Sequence, residues 1–202
     1  ADAAFSIVST ALENGKDVVS ASKKMLAEHL PALLELQEQT GRSLLYEAAA
    51  CASIPVIRNL EEYYDNDLLH SIKAIVNGST NFILTKMFDE GLDFKQALVL
   101  AQQLGFAESN PKLDVEGYDA VNKWTLVLTH AYGITEAPEQ ILFNGIQNIQ
   151  AADAAVAKSK GQAIRLVAQA QKLRNGKVAA FVLPQFINHD DHLAFVKNEY
   201  NG

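Results

Sequence analysis

The chain has 202 residues, 49% of them hydrophobic and 20% charged, enough to bury one large core, or one core plus part of another. A formal net charge of −7 and a pI near 5.2 exclude a Lys/Arg stripe that could displace counterions from nucleic acid, and the clusters Lys23-Lys24 and Lys172-Leu173-Arg174 are too short to supply one. An apolar run of membrane-spanning length and a secretory leader pattern are both lacking, and the single cysteine, Cys51, has no disulfide partner, so a globular cytoplasmic protein is expected.

Residues 3–14 predict a helix closed by Gly15, and Asp17 to Ala21 a short β-branched strand. A long helix runs from about Ser22 to Thr40, with Leu26, Leu30, Leu33, Leu34 and Leu36 on its apolar face and Gly41 as its stop. Ser43 to Glu47 reads as the next strand, and the small-residue run Ala48 to Ser53 leads into Pro55 and a helix through Tyr64. Strand, helix, strand in this order predicts a right-handed parallel crossover, the second half of a doubly wound sheet.

A second layer begins near His70. Ser71 to Val76 predict a strand, Asn77 to Thr80 a turn, and Asn81 to Glu90 a helix with Gly91 past its end. Asp93 caps a helix ending at Gly105, because its side chain can satisfy amides left open in the first turn. Residues 106–116 read as a polar loop and 117–131 as a strongly apolar helix ending near Gly133. The Ala-rich run Ala151 to Ala157 suits a helix or a tight packing surface, residues 158–174 are expected to hold an amphipathic helix, and Val178 to Ile187 a strand after the Asn175-Gly176 turn. The fold class is therefore α/β with α+β character: a remnant of a doubly wound parallel sheet, then a mainly parallel or mixed sheet packed by helices. Both ends read as cut, since the chain opens on Ala1-Asp2 and stops at Tyr200-Asn201-Gly202 directly after an apolar stretch.

Chemistry concentrates between Gly105 and Lys123. Asp119 and Lys123 stand four apart, so both project from one helix face with the acid nearer the N-terminus. On an arbitrary helix this is a surface ion pair, but here Leu126, Val127 and His130 continue the same face and Ala120, Val121 and Trp124 flank it, so the pair meets the core or a cleft. A partly desolvated lysine beside a carboxylate can exchange a proton with an alcohol oxygen, which makes Lys123 a candidate acid/base. Glu108 and Asp114 are loop carboxylates of the kind that water usually covers; clustered with Asp119, they could hold the ammonium of a small substrate.

Val76 to Leu84 reads as strand, Gly-containing turn and helix, whose free amides favour a carboxylate or phosphate, although any capped helix after a tight turn has the same pattern. Lys23 lies just past the carboxyl end of a parallel strand, where ligands of open α/β sheets bind, and solvation is the equal alternative. Cys51 sits among small apolar residues and reads as packing, and His189 and His192, in an Asp-rich turn, as surface residues.

Together these blocks resemble homoserine dehydrogenase over nearly the whole chain. Asn77 to Leu84 looks like the family's substrate-proximal turn, and Leu104 to Lys123 is similar to its signature, Leu-Gly-aromatic-Ala-Glu to Asp-Pro, then Asp, Gly, Asp and Lys. Asp17 to Lys24 resembles a Val-Val-Thr-x-Asn-Lys strand end, Tyr46 to Ile57 a Glu-x-x-x-x-x-Gly-x-Pro-Ile segment, and Leu193 to Gly202 the return toward the nucleotide domain. The resemblance implies that residues 1–58 are the second half of a Rossmann-like nucleotide-binding domain and 59–202 a substrate-binding, catalytic and dimerisation domain. It also implies interconversion of L-homoserine and L-aspartate 4-semialdehyde with NAD or NADP, in threonine, methionine and isoleucine biosynthesis, by a homodimer that binds a small amino-acid substrate and neither nucleic acid nor membrane.

By the same resemblance Glu108, Asp114 and Asp119, with Asn77, Gly78 and Thr80, serve the substrate; Lys123 and Lys23 serve proton transfer beside Asp119; and Ser22 and Lys23 meet the cofactor. A sodium ion falls to Glu47 and the carbonyls of Ala50, Ala52 and Ile54. Ser22 stands where the family has Asn, Cys51-Ala52-Ser53 replaces a Gly-rich spacing, and Asn110 replaces the Asp of Asp-Pro. Two other readings stay open: a semialdehyde dehydrogenase using Cys51 as nucleophile, and a non-catalytic dimerisation module.

No Gly-x-Gly-x-x-Gly follows any strand, and that turn is the main cradle of a dinucleotide pyrophosphate. The chain alone is expected to bind dinucleotide poorly and turn over slowly or not at all. Homoserine oxidation by the isolated chain at a rate comparable with a full-length enzyme would refute this.

Overall fold

The expected crossover opens the fold. Helix α1 (Asp2–Glu13) lays Val8 and Leu12 into the core beside α2 (Lys23–Thr40), which buries Met25, Leu26, Leu30 and Leu33 and ends on Gly41 in the left-handed conformation. Strands β1 (Val18–Val19) and β2 (Leu44–Leu45) flank α2 in sequence and pair in parallel, Val18 opposite Leu44 and Val19 opposite Leu45. The small-residue run does more than lead into the next helix. It forms one itself, α3 (Glu47–Cys51), followed by α4 (Val56–Tyr63). The chain is described here from a computed structural model over residues 1–64 and 68–197, so the last part of the closing segment, 198–202, lies outside the described residues.

The second layer is a mixed four-stranded sheet. Its strands β3 (Ser71–Ala74), β4 (Leu142–Phe143), β5 (Gln162–Lys172) and β6 (Val178–Asn188) lie in the order β3-β5-β6-β4; β5 is antiparallel to both neighbours, and β4 runs parallel to β6. Helices α5 (Gly78–Glu90), α6 (Phe94–Gln103), α7 (Lys112–Val115), α8 (Tyr118–Tyr132) and α9 (Ala151–Ser159) complete the layer. Ile164, Leu166, Ala168 and Ala170 of β5 join the main core, while Val167 on the other face packs with Ile187, Ala194 and the 3-10 turn His192–Phe195.

The polar loop expected over 106–116 contains the short helix α7, and a larger expectation fails. Residues 158–174 do not hold a helix: α9 ends at Ser159, Gly161 turns with φ 65°, and Gln162 to Lys172 run as a strand. The strand is paired on both sides and buried along most of its length, so it lacks the period-two alternation of a half-exposed strand. Its Ala, Gln and Leu residues are also good helix formers, and pairing overrides that propensity.

Helix α8 sits at the centre, between α2, α3 and α4 on one side and β5 and β6 on the other. It buries Ala120, Val121, Trp124, Leu126, Val127 and Leu128. Its start is set by backbone packing: Gly117 caps it in the left-handed region at φ 90°, Ile146 N–H donates to Val115 O at 2.7 Å, and Gly145 lies flat against the Val115-Glu116 backbone. A Cβ on Gly145 would overlap the Val115 carbonyl oxygen and the Glu116 backbone, neither of which can swing aside. Gly145→Ala is therefore expected to destabilise the protein by about 3 kcal/mol, measured by urea unfolding, and to shift the helix that carries Asp119 and Lys123. A loss below about 0.5 kcal/mol would show that this contact does not set the helix start.

Candidate active site

Three helix starts converge on one carboxylate. Asp119, in the first turn of α8, is 7% exposed, and Lys23 Nζ reaches its Oδ1 at 2.7 Å from the first residue of α2. Lys123 Nζ, one turn along α8, reaches Oδ2 at 2.7 Å and donates to the Val76 carbonyl at 2.9 Å. Asn77, the cap of α5, donates through Nδ2 to Asp119 Oδ2 at 2.9 Å and Asp114 Oδ1 at 2.7 Å. Its Oδ1 accepts from Thr80 N at 2.8 Å, so one amide both closes a helix end and joins two acids.

Burial acts on the two acids with different outcomes. For Asp119 it pushes the pKa up, but the Lys123 charge and hydrogen bonds from Lys123, Lys23 and Asn77 outweigh it and hold the carboxyl below its ordinary value. Asp114 is raised, by burial first and by the Asp119 charge, against the Asn77 hydrogen bond and the two lysines.

Two cavities meet at this cluster. The first, about 510 Å³, is lined by Lys23, Asn77, Gly78, Ser79, Gly105, Phe106, Ala107, Glu108, Asp114, Asp119 and Lys123. The second, about 520 Å³, shares Lys23, Asn77, Gly78 and Lys123 but is otherwise mainly apolar, with Ala21, Ala48, Ala49, Cys51, Ala52, Ile54 and Val56 beyond the ends of β1 and β2, and Leu193 and Val196 across from them. Glu108, Asp114, Asp119, Lys23, Lys123, Asn77 and Gly78 are thus brought together as expected.

Other expected residues stand elsewhere. Thr80 is fully buried and lines neither cavity; its hydroxyl is engaged with Asn77, and Ser79 takes the wall position instead. Ser22 is exposed at the start of α2 and also lines neither cavity. The Glu47 carboxylate caps α4, accepting from Ile57 N at 2.9 Å and Arg58 N at 3.0 Å, while the Ile54 carbonyl accepts from Val56 N at 2.8 Å. Among the described residues no cluster of three or more His, Cys, Asp or Glu is placed to hold a metal ion.

Sequence reasoning missed several wall residues, Lys73, Asn81, Leu193 and Val196, and the chain of bonds from Tyr46 OH to His130 Nε2 at 2.8 Å and from His130 Nδ1 to Glu61 at 2.7 Å. The periodicity along α8 put His130 on the face of Asp119 and Lys123, the one available hint. Cys51 lines the apolar cavity, where burial, then the Glu47 charge, raise its thiol against the Lys123 charge. That favours packing over a thiolate nucleophile.

A paired lysine and acid facing a polar cavity beside an apolar one, at the carboxyl ends of parallel strands, is a small-molecule site at the place where open α/β sheets bind their ligands. A homoserine dehydrogenase profile matches residues 55–202, and the profile of that family's NAD binding domain matches 1–47. The chain belongs to the homoserine dehydrogenase family. It is 37% identical over 200 residues to the homoserine dehydrogenase of Corynebacterium glutamicum, covering 97% of this chain and 45% of that protein. A homoserine dehydrogenase structure from Thiobacillus denitrificans superposes with TM-score 0.93 at 33% identity, over 97% of this chain and 45% of that one. A hyperthermophilic archaeal homoserine dehydrogenase mutant in complex with NADPH superposes with TM-score 0.75 at 31% identity, over 95% and 55%. The chain spans about half the length of the relatives it matches.

A carboxyl whose folded pKa lies below its unfolded value stabilises the fold above the unfolded pKa, and the contribution is lost as pH falls through the folded pKa. Asp119 is of this kind. The melting-temperature gap between wild type and Asp119→Asn is expected to be widest near neutrality and to narrow as pH falls below the ordinary aspartate range. A gap constant over that range would show that Asp119 titrates no differently in the folded and unfolded chains.

Proposed function

We propose that the protein to which this chain belongs interconverts L-homoserine and L-aspartate 4-semialdehyde with NAD or NADP, in the biosynthesis of threonine, methionine and isoleucine. The observation that carries this reading is the hydrogen bonding of Lys123. Its ammonium gives one N–H to Asp119 and one to the Val76 carbonyl, which leaves the third for a ligand oxygen in the cavities it lines.

In the polar cavity Glu108 and Asp114 suit the substrate ammonium, and the amides of Gly78 and Ser79, in the open first turn of α5, suit its carboxylate. The reacting oxygen then lies at Lys123. In the reducing direction Lys123 Nζ–H donates to the aldehyde oxygen and passes its proton as the alcohol forms; in the oxidising direction Nζ, as the free amine, accepts that proton. Asp119 fixes the direction of the N–H bonds. Lys23, 42% exposed on the other carboxylate oxygen, stands nearer bulk water and is the natural route for restoring the proton.

The apolar cavity fits a nicotinamide ring: small side chains line it beyond the ends of two parallel strands, and a buried acceptor on its wall, Asn81 Oδ1, has no partner among the described residues. The cofactor supplies or removes the hydride when bound. The NAD binding profile over residues 1–47 and the NADPH held by the archaeal relative support a nicotinamide dinucleotide, with the choice between NAD and NADP open.

The division at residues 58 and 59 is kept as a proposal, supported by the two profiles meeting between 47 and 55. Homodimer pairing is supported by the sheet face that the 3-10 turn covers only in part, where Phe181 and Leu183 remain half-buried. A cytoplasmic location accords with a single free cysteine; among the described residues no helix is long and apolar enough to cross a membrane. Sodium would be held by the carbonyls of Ala50, Ala52 and Ile54, since the Glu47 carboxylate caps α4; the left-handed backbone of Ala52, φ 52°, is its one structural support.

In the complete enzyme, Lys123→Ala is expected to lower kcat/KM for homoserine oxidation, followed by cofactor reduction, by about 10² to 10⁴-fold, with Cys51→Ser close to wild type. The opposite pattern would replace this reading with that of a thiol-dependent semialdehyde dehydrogenase.

A further inference from the structure

Asn81 plays no part in the proton chemistry above, yet it is among the most deeply buried polar residues, 2% exposed, on the wall of the apolar cavity. Its Nδ2 donates to the Val196 carbonyl at 3.0 Å, and its Oδ1 meets no donor among the described residues. Turning the amide over would set Oδ1 against the Val196 carbonyl, acceptor against acceptor, and leave Nδ2 unpaired instead. The open position is thus fixed as an acceptor, and what is missing is an N–H or O–H donor. A buried polar group without its partner costs free energy unless something binds to complete it.

The surroundings narrow the donor. The cavity is mostly apolar, suited to a flat ring, and opens at the Lys23–Asp119–Lys123 cluster where the reacting carbon would lie. The donor must therefore be a neutral N–H or O–H group carried at the edge of that ring. On a nicotinamide this is the carboxamide NH2, the only N–H donor on the ring.

We infer that Asn81 recognises the carboxamide of the nicotinamide ring, accepting a hydrogen bond through Oδ1 from its NH2 group while the Val196 carbonyl holds the Asn81 amide in the accepting orientation. This rests on the dinucleotide-dependent reading of the site. It assigns to Asn81 a role in telling a carboxamide cofactor from an isosteric one without the donor.

The test uses the complete enzyme and two cofactors, the nicotinamide dinucleotide and its 3-acetylpyridine analogue, in which a methyl group replaces the NH2. The quantity read is the ratio of their kcat/KM values in wild type, Asn81→Leu and Asn81→Ala. Comparing ratios cancels the different redox potentials of the cofactors and any difference in the folded fraction of a variant. Loss of one hydrogen bond predicts that the preference for the carboxamide falls about tenfold in both variants. Variants that lose activity equally with both cofactors would overturn the inference, leaving Asn81 to hold Val196 alone. A wild-type preference for the carboxamide below about threefold in dissociation constant would overturn it without any variant. Failure of the wild-type enzyme to oxidise homoserine with any dinucleotide would instead remove the dehydrogenase reading itself.

Discussion

The buried carboxylate of Asp119 is the constraint on which the rest of the site depends. Removing a carboxylate and two ammonium groups from water is unfavourable unless every charge is closely paired and its remaining hydrogen-bonding positions are filled. Here both oxygens are filled by Lys23, Lys123 and Asn77. Asp119 also lies in the first turn of α8, where the positive end of the helix dipole favours an anion. Lys23 has the reverse problem, a cation in the first turn of α2, and its ion pair with Asp119 compensates. The carboxylate therefore draws the starts of three helices to one point, each contributing a group that pairs with it.

Sharing one acid makes the two lysines unequal. Lys123 is 18% exposed and has a second fixed acceptor, the Val76 carbonyl, whereas Lys23 is more open and has Asp119 alone among the described residues. The first is held in one direction by two acceptors. The second is held by one and reaches the solvent. Asn77 adds a further asymmetry by joining Asp119 to Asp114, two neighbouring acids whose pKa values are shifted in opposite directions.

What could be read from the sequence was local. Residue spacing placed Asp119 and Lys123 on one helix face, Gly41, Gly91 and Gly133 marked helix ends, and Asp93 capped α6 with Gln96 in a reciprocal box. The failures have one physical origin, in that they required knowing what packs opposite. Strand β5 looked helical because burial on both faces erased its alternation. Thr80 looked like a ligand residue because its turn was recognised, although its hydroxyl turns inward to Asn77. The bond from Tyr46 to His130 spans 84 positions and leaves no local trace.

That last bond bears on how the two cavities are held relative to each other. The proposed hydride transfer would need its partners in a near-attack geometry, in which a misplacement of about 1 Å is costly, so the packing of the first 47 residues onto the remainder has to be well fixed. Besides the Glu47 cap of α4, two polar ties among the described residues cross this join, at opposite ends of α8. Lys23 reaches Asp119 in its first turn, and Tyr46 reaches His130 in its last, with His130 in turn held by Glu61 of α4. The Tyr46 phenol is pushed up by burial and by the Glu61 charge, so it stays a neutral hydroxyl able to hold that bond. A helix tied at one end can still pivot; tied at both, it carries Lys123 at a set distance from the wall formed by Ala48, Ala49 and Cys51. The charged tie also faces the polar cavity, whereas the neutral one lies away from both cavities and is free to be purely mechanical.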